Sequence, residues 1–281
     1  MPIVAFQGVS GAYSESAIYQ FFGPETQTLA CRSLEGIFEA VETGRADLGM
    51  LPVENALAGS LPRAYELLME RDLRIRAEVI MRVQHTLMAA PGVELADLKR
   101  VRSSLTSLGQ CEKFINRFGL EQIAAPDTAS SARDLAANPE PALGVIASQL
   151  AAQIYKLDIL EEEIEDAAFN YTRYFVLGSE DPPRAQRSKT SLIFSTRHLP
   201  GSLYRCLGEF AERNINLTKI ESHPRRNRPW QYLFYLDFEG HWQDPAAEAA
   251  LLGLLRRAGF VKMLGSYPTA TTPHPDEKGV I

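Results

Sequence analysis

A carboxylate and a carboxamide, Glu54 and Asn55, follow directly on the apolar run Ala46–Val53, and Gly59 shortly afterwards permits a close backbone approach. Farther along, Asn170-Tyr-Thr-Arg-Tyr174 sets a hydroxyl, Thr172, beside a guanidinium, Arg173, immediately before a buried strand pattern. Each segment also has an ordinary structural reading, a helix-capping turn for the first and a strand flank for the second. Three further places put a small polar residue where a helix pattern begins: Gln7-Gly8 leading to Ser14, Ser103-Ser104 leading to Gln110, and Ala147-Ser148. Backbone N–H groups and the macrodipole favour an anion there, although each place alone is equally a plain helix cap. Their repetition points to a pocket for a small molecule that carries carboxylates. Gly8-x-x-Gly11 lacks the third glycine of a dinucleotide fingerprint and no Gly-Lys-Ser/Thr phosphate loop occurs, which argues against NAD and ATP.

These residues need elements to hold them. Short apolar runs at Pro2–Phe6, Ala46–Val53, Arg100–Ser103, Ala142–Ala147 and Tyr174–Leu177 predict strands. Helical patterns begin near Ser14, run through Gln110, Phe114 and Phe118, and run from Ser148 through Leu150, Ile154 and Leu157. Such alternation predicts an α/β domain with a largely parallel sheet, whose ligands gather beyond the carboxyl ends of the strands. Gly178-Ser-Glu-Asp-Pro-Pro-Arg-Ala-Gln-Arg-Ser188 cannot continue a helix or a central strand and reads as a linker. Beyond it the pattern changes. Strands at Lys189–Thr196, Leu217–Ser222, Trp230–Phe238 and Val261–Tyr267 enclose helices opening at Gly201-Ser202 and at Pro245, the latter running to Ala258. The order βαββαβ predicts a ferredoxin-like second domain, and Thr271 to about Gly279 reads as a frayed tail.

The chain has 281 residues, 45% hydrophobic and 23% charged, with a net charge of −6. That balance predicts about two globular domains and gives no footprint for nucleic acid or anionic lipid. The one basic run, Arg225, Arg226 and Arg228, reads as a solvated loop. Cys31, Cys111 and Cys206 are odd in number and far apart, so neither a disulfide framework nor a zinc site is expected. The first residues lack the basic and apolar regions of a signal peptide, and no apolar run is long enough to span a bilayer. A cytoplasmic location is the expectation.

Gly8-Val-Ser-Gly-Ala-Tyr-Ser14, Leu51-Pro-Val-Glu-Asn55 with Gly59-Ser60, Gln110-Cys111 and Asn170-Tyr-Thr-Arg-Tyr174 resemble the motifs of prephenate dehydratases in order and spacing. Beyond the linker, Gly201-Ser-Leu203 and Leu217-Thr-Lys-Ile-Glu-Ser-His-Pro224 are similar to the Gly-Ala-Leu and Glu-Ser-Arg-Pro segments of the ACT regulatory domain. The resemblance spans about residues 3 to 268. Departures are Tyr174 for Phe, Ser103-Ser-Leu-Thr106 for Ser-His-Pro-Gln, Ala56 for Ser and His223 for Arg. The resemblance implies a two-lobed catalytic domain of type II periplasmic-binding-protein-like fold over residues 1–178, a linker at 179–188, an ACT domain at 189–270 and a flexible tail at 271–281. It implies decarboxylating dehydration of prephenate to phenylpyruvate in phenylalanine synthesis, with no cofactor and no metal, and feedback by phenylalanine. Arogenate dehydration and a non-catalytic amino acid sensor are the competing readings. No chorismate mutase segment precedes Pro2, so a monofunctional form is expected, assembled as a homodimer or homotetramer.

By resemblance, Thr172 contacts the departing ring hydroxyl. Its pKa is far too high for a strong acid, so it works as an oriented donor or relay. Glu54, if burial raises its pKa, or His85 supplies the proton. Arg173 either grips a carboxylate with its fork or braces the segment that presents Thr172. Ser14, Asn55, Ser60, His85, Ser103 and Gln110 are expected around the substrate, with Cys111 lining the pocket and not acting as a nucleophile. Gly201, Ser202, Leu203, Leu217, Glu221 and Ser222 are expected to hold phenylalanine.

Overall fold

The computed structural model describes residues 1–225 and 231–270. In chain order these form β1 (Ile3–Gln7), α1 (Tyr13–Phe22), β2 (Gln27–Cys31), α2 (Leu34–Glu42), β3 (Leu48–Asn55), β4 (Gly59–Ser60), α3 (Pro62–Glu70), β5 (Arg74–Arg82) and β6 (Thr86–Ala89). There follow β7 (Arg100–Ser104), α4 (Leu105–Gln110), α5 (Glu112–Arg117), β8 (Glu121–Ala125), α6 (Thr128–Ala137), β9 (Leu143–Ala147), α7 (Gln149–Tyr155), β10 (Asp158–Glu161) and β11 (Tyr171–Gly178). The last six are β12 (Ser188–Thr196), α8 (Ser202–Ala211), β13 (Leu217–Pro224), β14 (Tyr232–Glu239), α9 (Pro245–Arg257) and β15 (Ala258–Pro268). Trp230, Arg226, Arg228 and the tail from Thr271 lie outside the described residues.

The chain divides into two compact units, Met1–Leu61 with Val79–Tyr174, and Pro62–Glu78 with Phe175–Thr271. Two sheets build the first. One has the order β2-β1-β3-β11-β5, with β4 paired to β3, and the other β10-β6-β9-β7-β8. The chain leaves the first sheet after β5 and returns to it at β11, so two crossing segments join two lobes, the type II periplasmic-binding-protein-like arrangement. In β1, Val4, Ala5 and Phe6 are fully buried, and β9, parallel to β7 and antiparallel to β6, is buried throughout, as central strands covered on both faces must be. Helices start where a side chain can take an orphan N–H: Ser33, Ser104, Asp127 and Ser148 each accept from the backbone three residues on.

Three expectations for this part need correction. The helix through Gln110 and Phe118 is broken at Cys111, because Asp166 bridges the gap: its N–H donates to the Gln110 carbonyl and its carboxylate accepts from the Lys113 N–H. Helix α7 ends at Tyr155, before Leu157, and buries Ala151 and Ala152 while Ile154 stays exposed. Gly11 explains that choice of face, since a Cβ there would lie 2.8 Å from Ala151 Cα and only small residues fit. Strand β11 begins at Tyr171, so Thr172 and Arg173 belong to the strand and not to a loop before it.

In the second unit, β12-α8-β13-β14-α9-β15 forms an antiparallel sheet of order β13-β14-β12-β15, a ferredoxin-like fold. Leu192, Phe194, Phe210, Leu236 and Phe238 build the core under its helices. The other sheet face is also covered: Leu233, Tyr235 and Asp237 of β14 are buried. Helix α3 does this. The Tyr235 hydroxyl donates to the Tyr65 carbonyl at 2.8 Å, and Lys262 Nζ donates to the carbonyls of Met69 (3.0 Å) and Arg71 (2.6 Å), orphans of the helix C-terminus. No helix among the described residues is long and apolar enough to cross a membrane.

Candidate active site

Strand β3 carries Glu54 and Asn55 past the buried Leu51 and Val53 into a tight hairpin, where Glu54 faces Ser60 and Asn55 faces Gly59 of β4. Asn55 Oδ1 accepts from the backbone N–H groups of Leu57 (3.0 Å) and Ala58 (2.9 Å), closing the turn with its own side chain. Its Nδ2 is thereby aimed at β11. It donates to Thr172 Oγ1 at 3.0 Å, to Asn170 Oδ1 at 2.8 Å and to the Tyr171 carbonyl at 3.1 Å. Thr172 is 9% exposed, so its hydroxyl works in a largely dry setting.

From Asn170, itself fully buried, the bonds continue into the second lobe. Asn170 Nδ2 donates to Gln110 Oε1 at 3.0 Å, and the same oxygen lies 2.8 Å from His85 Nε2. His85 Nδ1 is 2.6 Å from the Tyr13 hydroxyl, and the His85 N–H donates to Glu165 at 2.9 Å. Burial lowers the His85 pKa, with the Gln110 bond and the Glu165 charge opposing it, so the ring is held neutral. Burial likewise raises the Tyr13 hydroxyl, assisted by Cys111, Glu165 and Tyr174. Tyr174 is also raised by burial, opposed by side-chain hydrogen bonds with Ser14 and Thr172, and it ties Ser14 into the Thr172 neighbourhood. Arg173 Nη1 sits 4.0 Å from Glu54 Oε2, with Arg173 mostly buried and the Glu54 side chain 36% exposed.

Thus Glu54, Asn55, Thr172, Arg173, Ser14, Gln110 and His85 share one region, with Ser60 across the hairpin. Two expected members are packed into the core. Ser103 is fully buried and donates its hydroxyl to the Ile146 carbonyl at 2.7 Å, stitching β7 to β9. Cys111 is packed in an apolar cluster with Leu87, Leu108 and Ile115, and burial pushes its thiol up, so it lines the core. The helix N-termini are also partly occupied from within. Glu15 accepts from the Gly11 N–H at 2.6 Å, Ser104 from Ser107 at 3.2 Å and Ser148 from Ala151 at 3.0 Å. Tyr13, Asn170 and Tyr174 stand in motifs whose local pattern gives them no role; their partners lie far away in sequence, 72 residues for Tyr13 and 115 for Asn170. Glu165 had no local signal.

A cavity of about 290 Å³ is lined by Tyr13, Arg82, Gln84 and Ser148 among others, at the Tyr13 end of this chain of bonds. A larger one of about 420 Å³ lies in the second unit among Arg187, Glu239, His241 and Thr269 and contains none of these residues. Among the described residues no group of three or more His, Cys, Asp or Glu is placed to share a metal ion. In the second unit, Gly201 takes a positive φ of +73° ahead of α8, and Leu203 and Leu217 pack on the same core. Ser222 and Glu221 point to opposite faces of β13. Glu221 lies 2.9 Å from Lys219 Nζ and 3.0 Å from His223 Nε2, on the face where His223 stacks on Tyr65.

The prephenate dehydratase family model matches residues 4–182. Arogenate dehydratase/prephenate dehydratase 1 of Arabidopsis thaliana is 42% identical over 281 residues, covering 94% of this chain and 71% of that protein. A solved structure described as GqqA, a novel type of quorum quenching acylase, matches with a TM-score of 0.89 at 35% identity, covering 95% of this chain and 98% of that one. Prephenate dehydratase from Arthrobacter aurescens in complex with L-Phe matches with a TM-score of 0.87 at 29% identity, covering 97% and 93%. The chain belongs to the prephenate dehydratase family and is a hydro-lyase of phenylalanine biosynthesis.

Proposed function

We propose that this chain converts prephenate to phenylpyruvate, with Thr172 as the group that assists departure of the ring hydroxyl. Electrons of the breaking carbon–carboxylate bond move through the diene and expel the hydroxyl; one proton is taken up, and carbon dioxide and water leave. Aromatisation drives the reaction, so the protein must mainly bind, orient and protonate. The observation that carries this reading is the bond from Asn55 Nδ2 to Thr172 Oγ1. A fixed donor on one lone pair and a side-chain bond to Tyr174 hold the Thr172 oxygen in one place before the leaving group arrives.

Of the two proton sources offered by the sequence, His85 has both ring nitrogens engaged and is held neutral by burial. That leaves Glu54, beside Arg173 and open to solvent, as the group through which a proton from water reaches the site. Arg173 orients Glu54 and stands close enough to share a substrate carboxylate with it. Ser14, Gln110 and Ser60 bound the substrate in this reading, and Ser103 and Cys111 support it from the core. The assay is incubation with prephenate, with phenylpyruvate read by its absorbance in base; no product above the spontaneous rate ends the proposal.

The Arabidopsis relative's double name makes arogenate the second substrate to test, by kcat/KM measured side by side. The acylase neighbour supports a different second reading, hydrolysis of an acyl amide. That chemistry needs a base beside a nucleophile or water, and the closed bonds of His85 count against it here. Release of a fatty acid from an N-acyl amide, without turnover of prephenate, would favour it. A non-catalytic sensor would bind without any turnover.

For the second unit we propose an ACT domain over 189–270, joined by 179–188 to a catalytic part at 1–178, with phenylalanine held near Gly201, Ser202, Leu203, Leu217, Glu221 and Ser222. The L-Phe complex of the Arthrobacter aurescens enzyme supports it. A cytoplasmic homodimer or homotetramer completes the proposal. Sedimentation with and without phenylalanine tests the assembly.

A further inference from the structure

The hydrogen-bond directions around His85 can be worked out from one end of the chain of bonds. Asn55 Oδ1 accepts from two backbone N–H groups, at 3.0 Å from Leu57 and 2.9 Å from Ala58, and backbone amides can only donate. The atom facing Asn170 Oδ1 is therefore the amide nitrogen of Asn55. An Asn170 oxygen that accepts leaves Asn170 Nδ2 to donate to Gln110 Oε1. That oxygen also faces His85 Nε2 at 2.8 Å, and two acceptors cannot bond, so Nε2 carries the hydrogen. A neutral imidazole has one N–H. Nδ1 is then bare and takes the Tyr13 hydroxyl hydrogen across 2.6 Å.

Asn170 stands where this sequence of bonds passes between the lobes. It lies in the segment returning from β10 to β11, and its carbonyl accepts from Val83 at 2.7 Å in the segment leading from β5 to β6. Its side chain reaches Asn55 on β3 of the first sheet and Gln110 on α4 of the second lobe, and it is wholly shut off from water. A buried carboxamide with acceptor and donor both used in this way rigidifies what it joins.

We propose that Asn170 is a positioning residue for the dehydration: it holds Asn55 against Thr172 and imposes on His85 a proton at Nε2. The kinetic part rests on the reading of Thr172 given above; the tautomer part does not. Nitrogen NMR of the His85 ring in the full-length protein should find one tautomer, protonated at Nε2. In Asn170→Leu, which removes both bonds at similar volume, Gln110 can turn over and both His85 tautomers should be populated. With prephenate, kcat of that variant should fall about tenfold or more while KM moves less than about threefold. Wild-type protein protonated at Nδ1 overturns the proposal, even if the variant does not fold. So does an Asn170→Leu protein with wild-type tautomer and wild-type kcat. Wild-type protein without any dehydration, but with the Nε2 proton in place, defeats the assigned reaction and leaves the assigned geometry standing.

Discussion

At Thr172 the oxygen accepts from Asn55 at 3.0 Å and is joined by a side-chain bond to Tyr174, so the hydroxyl direction is set before any substrate arrives. Removing the hydroxyl leaves these partners without their bond and the leaving group without its donor. Thr172→Ala should lower kcat at least about tenfold with KM little changed, and Thr172→Ser should keep most of the activity. Steady-state kinetics of both variants checks this; wild-type kcat in the alanine variant would remove Thr172 from the chemistry. His85 gives a pH prediction whose sign follows from burial. Its folded pKa is lowered, so its contribution to stability is complete above the unfolded value of about 6.5. As pH falls below that value, the unfolded chain takes up a proton that the folded ring refuses, and stability is lost down to the folded pKa. His241, lowered mainly by burial, acts in the same sense, so the informative measurement is a difference. Below pH of about 6.5, the melting temperature of His85→Gln should fall less steeply than that of the wild type.

Where the turn ahead of α1 meets α7, the approach is close enough to leave a sharp test of packing. Gly11 has φ +88°, and a Cβ there would meet Ala151 Cα at 2.8 Å and Ala151 Cβ at 2.9 Å. Gly11→Ala combines left-handed strain with that clash and should cost at least about 2 kcal/mol, read from urea unfolding; a change below about 0.5 kcal/mol would mean the turn and α7 can part freely. The same glycine illustrates what the sequence reveals and what it hides. Periodicity placed a helix after Ser148, but it chose Leu150, Ile154 and Leu157 as the inner face because it weighs hydrophobicity and not clearance. Likewise Glu54-Asn55 and Thr172-Arg173 stand out locally, since polar groups beside buried runs are visible in any sequence. Strands β2, β8 and β10 are not, because they lie at sheet edges and mix polar with apolar residues, and β6, four buried residues long, is too short to show a period. Asn170 is legible as a polar residue, yet its two bonds span 115 and 60 residues, and only the completed fold brings those partners together.

The second unit contains more than the ferredoxin-like domain, since Pro62–Glu78 is grouped with Phe175–Thr271. Its buried face is completed by α3, and by Ile75, whose carbonyl would lie 2.5 Å from any Cβ on Gly265. At the end of this segment, Glu78 is 2% exposed; its carboxylate accepts from Lys189 Nζ at 2.7 Å and from the Ala270 N–H at 3.0 Å. A chain cut at residue 188 therefore keeps Glu78 and loses both of these partners, along with the cover over Tyr65. Removing one partner of a buried ion pair costs about 3–5 kcal/mol, a large part of the stability of a domain. Deleting residues 189–281 should thus abolish any phenylalanine response but also destabilise the remainder, so the deletion cannot serve as a clean test of regulation. The cleaner measurement stays in the full chain. Lys189→Met should lose about 3–5 kcal/mol, and adding Glu78→Gln should recover more than half of it, since the buried carboxylate's charge is removed along with its cation. If unfolding shows the double variant no more stable than Lys189→Met alone, the pair is not what joins this segment to the sheet, and the tolerance of the first 188 residues to truncation must be judged from packing alone.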